Sequence, residues 1–117
     1  MKRIENRAGV QARLVDHHER QVEELREDPE LARGLLEDAI RELILGDEQT
    51  ALILLRDIIA AAGGFPELAD EINVHPKALH RMLSEKGNPT TSNLAAILRA
   101  LTRRLKVKPA ANLLKVA

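Results

Sequence analysis

The chain has no cysteine, no tryptophan and no tyrosine, and Phe65 is its only aromatic residue. Without thiols there can be no disulfide, no thiolate metal site and no cysteine nucleophile, and such a composition fits a reducing, cytoplasmic setting. A core of Leu, Ile and Ala with almost no aromatics favours helices over sheets. No apolar run approaches the roughly 18 residues that span a bilayer, and Met1-Lys2-Arg3-Ile4-Glu5-Asn6 is not followed by an apolar signal core. Apolar residues nevertheless make up 44% of the 117 positions, enough to build one core and to exclude wholesale disorder. The expectation is a single all-α domain that does not enter a membrane.

Net charge is also absent, but only as a sum. Residues 1–15 carry +3, residues 16–48 carry −8, residues 49–74 carry −3, and residues 75–117 carry +8 with Glu85 as their one acid. A basic half attracts polyanions, whereas an acidic half stays solvated or meets a basic protein.

Helix punctuation is readable. Apolar positions before Asp28 are sparse, so residues 1–27 read as an arm or a solvated helix. Asp28-Pro29-Glu30 is a helix start: a capping carboxylate, a proline at the first helical position and an acid that complements the positive helix end. The stripe Leu31, Leu35, Leu36, Ala39, Ile40, Leu43 and Ile44 then runs to a stop at Gly46. Asp47 caps the next stripe, Ala51, Leu52, Leu55, Ile58, Ile59 and Ala62, which Gly63-Gly64 ends. Two short helices open at Pro66 and Pro76, with Asn73 at the turn because Asn tolerates the left-handed conformation. After Gly87-Asn88-Pro89, Thr90 or Thr91 caps a last helix carrying Leu94, Ile97, Leu98 and Leu101, and residues 105–109 alternate as a short strand would.

The segment Glu67-Leu-Ala-Asp-Glu-Ile-Asn-Val-His-Pro-Lys-Ala-Leu-His-Arg-Met-Leu83 has the parts a helix-turn-helix needs. Ala69 allows a close helix crossing, Asn73 serves the turn, and Leu68, Ile72, Val74, Leu79 and Leu83 supply buried positions. With Leu-Arg-Asp-Ile-Ile at 55–59, Ser84-Glu85-Lys86-Gly87-Asn88-Pro89-Thr90, and the apolar helix from Leu94 to Val107, the segment resembles the phage-repressor-like (XRE/Cro-type) helix-turn-helix family. Within it, the chain is most similar to the HigA-like antidote proteins of toxin–antitoxin modules. Two positions depart from the family pattern: Phe65-Pro66 opens the first motif helix, and His75-Pro76 opens the second.

The resemblance implies a five- to six-helix helix-turn-helix DNA-binding domain over residues 28–108, with motif helices at about 66–72 and 76–84. The pattern of the residues themselves adds an N-terminal arm or solvated helix over 1–27, a candidate short strand at 105–109, and a C-terminal tail over 109–117. The resemblance further implies a sequence-specific regulator that represses its own operon as the antitoxin of a type II module, with operator DNA and a basic RNase-type toxin as partners. The candidate DNA contacts are His75, Lys77, Ala78, His80, Arg81 and Lys86, with Thr90, Thr91, Ser92 and Asn93 at a helix N-terminus. A homodimer is expected, joined through Leu101, Leu105 and Val107. The late basic residues Arg99, Arg103, Arg104, Lys106 and Lys108 either track a DNA backbone or face the acidic half of a dimer mate. Two other readings stay open: a module that neutralises a toxin with weak or no DNA binding, and a stand-alone regulator.

Catalysis and metal chemistry find no support. Neighbouring His17 and His18 point about 100° apart on a helix and lack a third ligand at useful spacing. There is no glycine-rich phosphate loop and no nucleophile in a recognisable setting. Neither an enzyme nor a cofactor is expected.

Overall fold

The computed structural model describes residues 17–117; the arm residues 1–16 lie outside the described residues. The architecture is all-helical. A helix over residues 17–27 (α1) is followed by α2 (Pro29–Leu45), α3 (Glu48–Ala61), α4 (Phe65–Glu71), α5 (Pro76–Met82) and α6 (Thr91–Arg104). No helix among the described residues is long and apolar enough to cross a membrane.

All the helices from α2 on except α4, which follows Gly64, start at a capping side chain. Asp28 accepts from the Leu31 backbone N–H at 3.1 Å, Asp47 from Thr50 at 3.2 Å and Thr90 from Asn93 at 3.1 Å, each satisfying an otherwise unpaired first-turn donor. The ends are equally explicit. α2 stops at Gly46 (φ 88°), α4 at Asn73 (φ 61°) and α6 at Lys106 (φ 58°). In each case the following N–H returns to the carbonyl five residues back: Asp47 to Glu42, Val74 to Ala69, Val107 to Thr102.

This ending overturns the expected strand. The left-handed Lys106 closes α6 in a Schellman turn, and residues 107–110 continue without strand pairing among the described residues. The alternation of 105–109 arises because Leu105 seals the core, 9% exposed, while Lys106 and Lys108 point to water.

The core is one aliphatic cluster in which Leu55, Ile58, Ile59, Leu68, Leu79, Leu83, Ile97 and Leu101 have no exposed surface. The helix at 17–27 is mostly solvated, as its sparse apolar residues imply, and Val22 (9% exposed) and Leu25 (5%) are what it adds to this core. The buried face of α2, by contrast, is rotated from the expected stripe: Ala32, Leu36 and Ala39 are inside, while Leu31 is 43% and Ile44 62% exposed. Alanines at 32, 39 and 51 leave room for close helix contact, and that contact favours an Ala-lined face over the bulkier edge of a wide stripe.

Candidate nucleic-acid interface

The helix-turn-helix segment forms two seven-residue helices, α4 and α5, joined through residues 72–75. Leu68 and Ala69 on α4 and Leu79 on α5 are fully buried, so apolar packing fixes the pair to the rest of the domain. Ala69 fills the close-contact position, and Asn73 takes the turn in the left-handed region. Ile72 and Val74 are half-buried against the same core.

The outward face of α5 carries the chemistry. Lys77 and Arg81 are one helical turn apart and both exposed, so they project from one side. Among the described residues no carboxylate comes within 4.0 Å of Lys77, Arg81 or Lys86, which leaves this face with uncompensated positive charge. Ala78 is half-buried between them and has no polar group to offer.

The two histidines hold their own helix. His75 is the N-cap of α5, and its Nδ1 accepts from the Lys77 backbone N–H at 3.1 Å. That acceptor role requires the ring proton on Nε2, which leaves one outward donor. His80 stacks on Phe65 with ring centroids 3.9 Å apart and planes 11° from parallel. The stack pins the first residue of α4 to the middle of α5 and covers one face of His80. Phe65 was not among the expected site residues; only the fold brings it beside His80, fifteen positions away.

A second polar group follows at the start of α6. Thr90, Thr91 and Ser92 are exposed and Asn93 is half-buried, with Thr90 Oγ1 already engaged as the cap. The connection from α5 is set by Gly87, where a Cβ would collide with the carbonyl oxygens of Arg81 and Met82. Gly87 also donates to the Ser84 carbonyl at 2.8 Å, and Ser84 Oγ donates to the Arg81 carbonyl at 2.7 Å. The Ser84-to-Thr90 segment therefore closes tightly over the end of α5 and sets the start of α6.

No protein-family model, no curated protein and no solved structure matches the chain.

The late basic residues divide into two groups. Arg103 and Arg104 both grip Glu71 at the end of α4, and Arg104 also donates to the Ala62 carbonyl at 2.7 Å. They bind α6 to α4 and are committed to carboxylate and carbonyl partners within the chain. Arg99, Lys106 and Lys108 stay exposed. The expected dimer residues are displaced inward: Leu101 has no exposed surface, Leu105 is 9% exposed, and Val107 is half-buried against the core. Leu101 packs inward because α6 turns its apolar side to the centre of the domain, and Leu105 and Val107 follow it onto the same core after the helix ends.

Proposed function

We propose that the chain is a sequence-specific DNA-binding transcriptional regulator that places α5 in the major groove of double-stranded operator DNA. The observation that carries this reading is the pair Lys77 and Arg81. They share one exposed face of a rigidly packed second motif helix, with no carboxylate to neutralise them among the described residues. Arg81 can pair in bidentate fashion with guanine, and Lys77 reaches a base edge or a phosphate. His75 Nε2, Lys86 and the hydroxyls of Thr91 and Ser92 are suited to phosphate contacts beside them.

The companion proposal is that this regulator is the antitoxin of a type II module, a cytoplasmic homodimer that represses its own operon and neutralises a basic RNase-type toxin. It rests on the resemblance of residues 47–108 to HigA-like antidote proteins and on the charge of the opposite half. One structural observation favours a protein partner there: Ile44 (62% exposed), Leu45 (70%) and Ile53 (52%) stand uncovered on the acidic helices α2 and α3. Exposed aliphatic side chains within an acidic surround suit a basic protein that brings its own apolar patch.

The test is titration of the full chain against the DNA upstream of its own reading frame. Lys77→Ala and Arg81→Ala should each weaken specific binding by about 1–3 kcal/mol, with base discrimination relaxed for Arg81→Ala. A doubly substituted protein that binds this DNA as tightly as the wild type rejects the groove-reading role of α5.

A further inference from the structure

A cleft of about 550 Å³ opens where α1 and α2 meet the C-terminal ends of α3 and α6. Its size falls within the range of small-molecule sites. The apolar part of its lining is Leu25, Ala32, Ala61 and Leu105, all buried side chains at the edge of the core. Its polar lining is mainly cationic.

The cations are not equivalent. Arg26 is paired with Glu23 and donates to the Ala60 carbonyl; Arg104 is held by Glu71 and the Ala62 carbonyl. Arg33, by contrast, is half-buried and uses only Nε, which donates to the Leu105 carbonyl at 2.7 Å. Its two Nη groups retain their donors, and no carboxylate among the described residues lies within 4.0 Å. Lys106, next in sequence to the Leu105 carbonyl that Arg33 engages, lines the same cleft and likewise has no carboxylate within 4.0 Å among the described residues. Glu67 is the one carboxylate on the lining.

We infer that this cleft binds a small organic monocarboxylate with an apolar body, held by Arg33 and Lys106 and seated on Leu25, Ala32, Ala61 and Leu105. A planar carboxylate matches the fork of the Arg33 Nη groups, and Lys106 adds a point charge. One negative charge balances two unpaired cations and Glu67. The carbonyl ends of α3 and α6 carry partial negative charge and oppose a dianion about twice as strongly as a monoanion. Arg104, which also lines the cleft, holds Glu71 at the end of α4. The site does not depend on the DNA-binding reading and is measured without DNA.

The experiment is a backbone-amide NMR titration of the full chain with octanoate and benzoate. Octanol and benzyl alcohol serve as uncharged counterparts, inorganic phosphate as charge without a body, and a short poly-glutamate peptide as an acidic chain. At least one carboxylate should saturate, shifting amides at 25–33, 61–63 and 104–106 and, through Arg104, at 67–71. Lys106→Gln, an exposed change that removes one charge, and Arg33→Lys, which keeps the charge but loses the planar fork, should each weaken it about tenfold. The inference is overturned if neither carboxylate saturates, if the alcohols or phosphate bind as tightly, or if Lys106→Gln leaves affinity unchanged. It is equally overturned if the peptide binds more tightly than both carboxylates, which would make the cleft a protein-docking surface.

Discussion

Asp57 sits half-buried on α3 with its Oδ1 3.8 Å from Nδ1 of His18 on α1. Burial raises its pKa above the ordinary 3.8, against the lowering influence of His18 and Arg56. A carboxyl with a raised pKa binds more protons folded than unfolded. Stability therefore falls as pH rises from 3.8 through the raised value, and the penalty persists at neutral pH. Asp57→Asn should be more stable than the wild type at pH 7, with the difference vanishing by about pH 3, as paired urea titrations would show. A variant that is less stable at pH 7 would mean that the His18 contact outweighs the cost of burial. Other single residues act through shape. Gly87 is required by the backbone packed against its Cα, and nothing in its local sequence announces this; only the approach of the end of α5 does.

At the scale of elements, the helix starts were legible because capping is local: a side chain at Asp28, Asp47 or Thr90 satisfies a backbone N–H three residues on. The ends at Gly46 and Asn73 were legible for the same reason. Lys106 was not, because lysine has no preference for the left-handed region and adopts it only where Leu105 must enter the core and the chain must turn away. Lys106→Gly should therefore stabilise the protein by about 0.5–1 kcal/mol, read as a raised thermal midpoint. α1 presents the opposite case. Two apolar residues in eleven leave this helix mostly solvated, yet Val22 and Leu25 close the core over α2 and α3. Leu25→Ala should cost about 2–5 kcal/mol in urea unfolding, whereas a freely solvated arm would lose almost nothing.

Across the whole molecule, the −7 carried by residues 17–48 and the +8 carried by residues 75–117 are held in one folded unit built on a shared core. The proposed DNA binding should weaken steeply with salt, and Lys86→Ala, by removing the proposed phosphate contact, should reduce the slope of log affinity against log salt by about one. Anisotropy titrations at several salt concentrations measure this, and an unchanged slope for Lys86→Ala would remove Lys86 from the contact surface. Composition, capping and periodicity by themselves determined the helical class, the helix starts, the turn at Asn73 and the exposed pairing of Lys77 with Arg81, because each follows from interactions within about four residues. Only the tertiary structure decided which side of the wide α2 stripe is buried, that Leu101 and Leu105 serve the chain's own core, and that Arg103 and Arg104 are committed to Glu71. It also decided that Phe65 stacks on His80. These outcomes depend on contacts between residues distant in sequence, where packing volume and charge pairing select among faces that local pattern leaves equivalent.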